Sequence, residues 1–364
     1  MNDHKTLLNL REFEAAAESR IPRMAFDYYA GGAGDEVTAR TAHDAWDAIS
    51  IRYRVLRDVS QRNLSAKVLG DELAFPLLVA PMAFQRMAHP EGEIATARAV
   101  AAAGAGMILS TLATSSIEDV RATTTGPLWF QLYIYRDRGL SKALVERAER
   151  AGCTALVLTV DSPLLGRRER DARNGFHVSS DFSIPNLTGD PRAALAAAAA
   201  HGGDGSALAK FVESHWDSSI SWRDVEWLRS ITKLPVLVKG VVRGDDAKLA
   251  LEHGAAGVVV SNHGGRQLDT SIATARALPE VADAMAGGGA ILVDGGVRRG
   301  TDIIKALALG ANAVLLGRPV LWGLGVGGSD GVQHVLGLLR DEFDLALALA
   351  GCRSPSELSR DFVV

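Results

Sequence analysis

Eight short apolar runs, alanine-rich amphipathic stretches between them, and ionisable residues gathered where the runs end predict an α/β fold, a closed (β/α)8 or TIM barrel. In chain order the runs are FPLLVAP, GMILST, LWFQLY, ALVLTVD, LPVLVKG, GVVVSNHGG, AILVDGG and NAVLLGRP. Each is short, rich in Leu, Ile and Val, and closed by a polar or glycine-bearing turn, as a strand buried on both faces reads. The stretches EGEIATARAVAAAGA, GLSKALVERAERAG, GDDAKLALEHGA and GTDIIKALALGA carry helical patterning and often end in glycine, a common helix stop. Eight alternating units favour closure over an open doubly wound sheet.

Ahead of the first run, residues 1–75 read as helices and a hairpin-like stretch, LSAKVLGDELAFP, forming a cap on one barrel end. The barrel itself takes residues 76–364, and with no linker in sight the chain is expected to be one domain over 1–364. The interval after the fourth run is far longer than the others. It holds HVSSDFSIPNLTGDPRAALAAAAAHGGDGSALAKF, so residues 177–215 are expected to be a mobile loop over the active face. The alanine run Ala193 to Ala200 reads as a weak helix or filler.

With 47% hydrophobic and 23% charged residues among 364, the chain can bury a large core and is not disordered. A net charge of −4 gives no electrostatic footprint for nucleic acid. No run approaches 18 apolar residues, and the charged amphipathic N-terminus lacks the apolar centre of a secretory signal, so no membrane partner and a cytoplasmic location are expected. Cys153 and Cys352 show neither metal nor redox spacing and read as buried thiols; no metal site is expected.

In such barrels the chemistry sits at the C-terminal ends of the strands. Gln131 and Tyr133, Thr159 and Asp161, Lys239, His263 and Arg266, and Asp294 all stand there. Burying so many polar groups unpaired is costly, which argues for a site rather than a scaffold. The turns DGGVRRGTD and GRP after the last two runs offer Gly295, Gly296, Arg298 and Arg318 beside a helix start near Thr301, a suitable phosphate site.

Six motifs in order, APMAFQRMAHPEGE, FQLYIYRDR, LTVDSPLLGRRERD, LVKGV, SNHGGRQLD and DGGVRRGTDIIKALALGANAVLLGRP, resemble the FMN-dependent 2-hydroxy acid oxidases and dehydrogenases. The resemblance runs from FDYYAGGAGDE to RDEFDLALALAGCRS, nearly the whole chain. It implies FMN as cofactor, a small 2-hydroxy acid as substrate, and a homo-oligomer, a homotetramer or an octamer. By the resemblance His263 is the catalytic base and Asp161 the partner of the imidazolium it becomes. Arg168 and Arg266 are implied to bind the substrate carboxylate as planar forks, with the adjacent Arg167 left as a surface residue. Tyr28 and Tyr133 are implied to contact substrate, whereas Tyr29 and Tyr135 read as core filling. Lys239 is placed at the flavin N1 edge, where a cation favours the charge of the reduced ring. Backbone at Ala83 and the side chains of Ser110, Gln131 and Thr159 are implied to hold the ring's polar edge, with Ser261 beside them. Asp294 faces the ribityl chain, and Gly296, Arg298, Gly317 and Arg318 take the phosphate.

Two departures bear on the substrate. Glycolate oxidases carry threonine and tryptophan where this chain has Met82 and Leu112, so more room beside the reacting carbon is expected, suiting lactate, a longer aliphatic acid or mandelate. Ala83 stands where the lactate monooxygenase of this family has glycine, which points to an (S)-2-hydroxy acid oxidase or dehydrogenase. Oxygen, giving H2O2, is the simplest acceptor, as no heme domain or basic, apolar anchor accompanies the barrel; a quinone or soluble carrier is the alternative. More distant readings are a Schiff-base aldolase using Lys239, a metal-dependent hydrolase and a non-catalytic flavin store.

Overall fold

The computed structural model describes residues 3–177, 183–187 and 207–364. A short antiparallel hairpin, β1 (Ala66–Val68) and β2 (Asp71–Leu73), precedes eight parallel strands. These are β3 (Leu77–Val79), β4 (Gly106–Leu109), β5 (Leu128–Leu132), β6 (Ala155–Thr159), β7 (Val236–Val241), β8 (Gly257–Val260), β9 (Ala290–Val293) and β10 (Ala313–Leu316). Each pairs with the next and β10 closes on β3. All eight expected runs are barrel strands, and the expected hairpin pairs Ala66 with Leu73.

The continuous apolar runs follow from burial on both faces. Leu78, Ile108, Trp129, Val157, Leu237, Val259 and Leu292 point inward and form the inner core. Their neighbours, such as Val79, Leu109, Phe130, Leu158, Val238, Val260 and Val293, face the helical ring. Alternate residues therefore serve two cores, and no barrel strand turns a face to solvent.

The base of the barrel is sealed by the hairpin. Val68 and Leu73 pack with the inner core. Asp71 Oδ2 accepts hydrogen bonds from Trp129 Nε1 at 2.7 Å and from Thr154 Oγ1 at 2.6 Å.

Residues 1–75 cover both barrel ends rather than the one expected: at the other end, the helix Arg23–Ala30 lies across the mouth. Its C-terminal carbonyls are gripped by two arginines from loops after β8 and β10. Arg266 Nη1 donates to Tyr28 O and, at 2.8 Å, to Gly31 O; Arg318 Nε donates to Tyr29 O at 2.9 Å and its Nη2 to Gly31 O at 3.1 Å. A helix C-terminus carries partial negative charge, so cations suit it.

The expected mobile loop 177–215 is only partly open to description, because residues 178–182 and 188–206, with the alanine run, lie outside the described residues. Its end differs from the expectation: Ala207–His215 is a helix. Leu208, Phe211 and Val212 are buried there, and apolar side chains at that spacing form one stripe that seats on the barrel. Both cysteines are buried and free.

Candidate functional site

A cavity enclosing about 1150 Å³ of empty space, part of it open to solvent, occupies the C-terminal mouth. Its wall includes Tyr28, Ala83, Ser110, Leu112, Gln131, Tyr133 and Thr159, together with Arg168, Lys239, His263, Arg266, Asp294, Gly296, Arg298, Gly317 and Arg318. Among the expected site residues, only Asp161 and Ser261 stand behind that wall, each bonded to a residue in it.

His263 Nδ1 lies 2.8 Å from Asp161 Oδ1. The backbone that presents it is unusual: His263 has φ 56°, and Gly264 and Gly265 follow at 63° and 74°. Three left-handed residues in succession suit glycine, but His263 bears a side-chain cost there, as functional loops often do. A Cβ at Gly265 would come within 2.5 Å of Ala39 N. The SNHGGRQLD glycines therefore serve the sharp turn after β8 as well as the site.

Burial presses His263 below its ordinary range more than Asp161 raises it, and Lys239 and Arg168 add to the depression. Burial opposes charge on Asp161, yet His263 and Lys239 outweigh it and keep the carboxyl below the usual carboxylate range. A neutral imidazole beside an ionised aspartate, with Nδ1 carrying the proton, leaves Nε2 as a base.

Lys239 Nζ donates to Ser261 Oγ at 2.8 Å and pairs with Asp294 Oδ2 at 3.2 Å. Burial lowers its affinity for a proton, but Asp294 and Asp161 more than restore it, so the ammonium sits above its ordinary range. A Schiff-base nucleophile needs the opposite, a neutral amine. Between β7 and β8 the register shifts at Gly240, φ 112°, where a Cβ would lie 2.6 Å from that of Asp161. This bulge aims Lys239 while letting Asp161 come close.

The adjacent arginines Arg167 and Arg168 differ in burial. Arg168 is buried whereas Arg167 is exposed. Arg168 and Arg266 stand over the Tyr28 ring, their guanidinium carbons 5.9 and 4.9 Å from its centroid. Burial and the charge of Arg266 push Arg168 down to about 10. Arg318 is pushed down to about 9 by burial, then by Arg266 and Arg298; burial lowers Arg298 as well. None of these four cations is ion-paired with a carboxylate among the described residues. Such crowding is relieved by anions.

Gln131 is held from both sides: its Oε1 lies 3.3 Å from Ser110 Oγ, and its Nε2 donates to Thr159 Oγ1 at 3.1 Å. Tyr133 stacks on Trp216 with centroids 3.7 Å apart. Tyr29 keeps a packing role, since its hydroxyl donates to Phe84 O at 2.6 Å, though its edge reaches the cavity.

Sequence reasoning missed Ser162, Leu165, Leu208, Val212 and Trp216, all in the wall. The spacing 208, 212, 216 was the signal that could have found the last three. No group of three or more His, Cys, Asp or Glu is placed to hold a metal among the described residues. Nor is any described helix long and apolar enough to cross a membrane.

A barrel whose mouth gathers a histidine–aspartate pair, a lysine and four arginines without a carboxylate ion pair among the described residues defines an enzyme for anionic ligands. The model of the FMN-dependent dehydrogenases matches residues 17–364. An L-lactate oxidase of Nostoc sp. is 51% identical over 360 residues, 98% of this chain and 98% of the relative. A glycolate oxidase of Spinacia oleracea is 49% identical, covering 98% of this chain and 95% of its own. A mandelate oxidase crystallised with (S)-4-hydroxymandelic acid superposes with a TM-score of 0.93 at 42% identity, covering 98% of both chains. The chain belongs to the FMN-dependent dehydrogenase family, and FMN is its cofactor.

Proposed function

We propose that the protein oxidises (S)-2-hydroxy acids to 2-oxo acids, passes the two electrons to O2 to give H2O2, and prefers acids larger than glycolate. The observation that carries this reading is His263, held 2.8 Å from Asp161, in a cavity that also presents Arg168 and Arg266. The oxidase relatives, acting on lactate, glycolate and mandelate by name, support the substrate class and the acceptor.

The residues present fit FMN. Asp294 Oδ1 is buried without a partner among the described residues, an acceptor suited to a ribityl hydroxyl. Arg298 and Arg318, beside Gly296 and Gly317, would hold the phosphate. Gln131, fixed by Ser110 and Thr159, would meet the ring's polar edge with the backbone at Ala83, while Lys239, seated on Ser261, would face its N1 side. Bound FMN supplies the two-electron acceptor that the protein's own side chains lack.

Arg168 and Arg266 would take the substrate carboxylate and Tyr28 and Tyr133 its hydroxyl, orienting the reacting carbon. His263 then accepts the proton released in oxidation, and Asp161 stabilises the imidazolium. Leu112, with the apolar Leu208 and Val212, would leave room for a substituent at that carbon. Anaerobic mixing with glycolate, lactate, 2-hydroxyoctanoate or mandelate should bleach the flavin fastest with the larger acids, and air should restore colour with one H2O2 per turnover. Bleaching by none of them would overturn the substrate class; bleaching without peroxide on aeration would overturn the acceptor.

We also propose that residues 1–364 fold as one cooperative domain, with 1–75 covering both ends of the barrel, and act in the cytoplasm as a tetramer or octamer. Exposed Tyr53, Val55, Leu56, Leu345 and Leu349 support an oligomer: they stand on segments joined by Arg54 N donating to Ala350 O at 3.0 Å. A monomer mass in solution would overturn it.

A further inference from the structure

Ser162 follows Asp161 in the loop after β6, and none of the roles above uses it. Its side chain is buried at the cavity wall. Its Oγ lies 3.0 Å from Asp161 Oδ1 and 3.3 Å from His263 Nδ1. That same Oδ1 meets the imidazole at 2.8 Å, whereas Oδ2 is buried without a hydrogen-bond partner among the described residues. One carboxylate oxygen thus serves two donors and the other serves none.

We propose that Ser162 is a positioning residue: by donating its hydroxyl to Asp161 Oδ1 it fixes which oxygen faces the imidazole and moderates how strongly that oxygen holds the Nδ1 proton. The inference rests on His263 being the base. The direction of donation follows from the inventory of donors. An ionised carboxylate only accepts, so the hydroxyl must donate to it, and the imidazole meets it through Nδ1–H. Each donor taken by Oδ1 diminishes its attraction for the other. A weaker hold on Nδ1–H disfavours the imidazolium, because the charged ring depends on that contact more than the neutral ring does.

Among the described residues, the other charged or titratable groups acting on the pair are Lys239 from β7, Arg168 from the loop after β6, and Tyr133 after β5. Both cations oppose the imidazolium. Ser162 works in the same sense, by a hydrogen bond in place of a charge.

The test is the pH profile of kcat/KM in FMN-loaded protein. Ser162→Ala should move the acid limb to higher pH by about half a unit, roughly a threefold gain in proton affinity. Ser162→Thr, which keeps the hydroxyl, should return the limb to the parent position. Flavin content per chain shows that each variant is folded. A role confined to filling space would scale the profile without moving it. An unmoved limb in Ser162→Ala, or an equal displacement in Ser162→Thr, overturns the proposal. His263→Ala measured beside them separates the two levels. Parent-like turnover there removes the base itself, whereas lost turnover with an unmoved Ser162→Ala limb removes Ser162 alone.

Discussion

The two ends of the barrel face opposite demands. At the base, one carboxylate, Asp71, takes two hydrogen bonds through one oxygen, and Trp129 fills the axis among aliphatic side chains. At the mouth, Asp161, Asn262 and Asp294 each keep a buried oxygen without a partner among the described residues, a histidine sits in the left-handed region, and guanidinium groups repel one another. Buried charge left uncompensated costs stability. The base contributes the stability that lets the mouth remain strained and charged until its ligands arrive, and substitutions at the two ends should therefore fail differently.

The largest effect is expected at the mouth. His263→Ala should keep the flavin and lower turnover by about 10²–10⁴-fold, the usual loss on removing a general base; stopped-flow reduction per bound flavin reads this. At the base, Trp129→Ala should lower unfolding free energy by about 3–5 kcal/mol and leave kcat/KM per flavin at the parent value. A denaturant titration beside steady-state kinetics checks both halves, and loss of activity without loss of stability would break the comparison.

Arg266→Lys should cost about 1.5–3 kcal/mol in kcat/KM, because an ammonium cannot make the planar fork and the charge-assisted bonds to substrate weaken. Since Arg266 also grips the carbonyls of Tyr28 and Gly31, some loss of stability should accompany the loss of activity, whereas in Trp129→Ala the loss of stability should stand alone. Leu112→Trp should narrow the cavity and cost larger acids about 1–3 kcal/mol. The ratio of specificity constants for mandelate and glycolate measures this; a ratio that does not fall means that Leu112 faces away from the substituent.

The smallest effect concerns pH. His263 lies below its ordinary range, so its base form persists on acidification past the point where a free histidine would be protonated. The acid limb of kcat/KM should accordingly lie below about 6.5, with a flat profile from there through neutrality. A limb at or above that value would show that Asp161 raises the imidazole more than burial lowers it.

Much of this was legible along the chain. Eight runs that are apolar on both strand faces, alternating with helical stretches, point to a parallel sheet covered on both sides, and their number favours the closed barrel that the structure shows. The strand-end rule then pointed to Gln131, Thr159, Asp161, Lys239, His263 and Asp294 before any contact was known. What the chain could not show are pairings that depend on distant segments meeting. Arg168 was separated from Arg167 only by burial, and Trp216 reached Tyr133 only because Ala207–His215 folds back as a helix. The resting charges of His263, Asp161 and Lys239 were likewise decided in three dimensions, since each depends on how deeply the group is buried and on charges carried by other strands. Local patterning determines which face of a strand is apolar; desolvation and Coulomb interaction depend on distances that only the closed barrel sets.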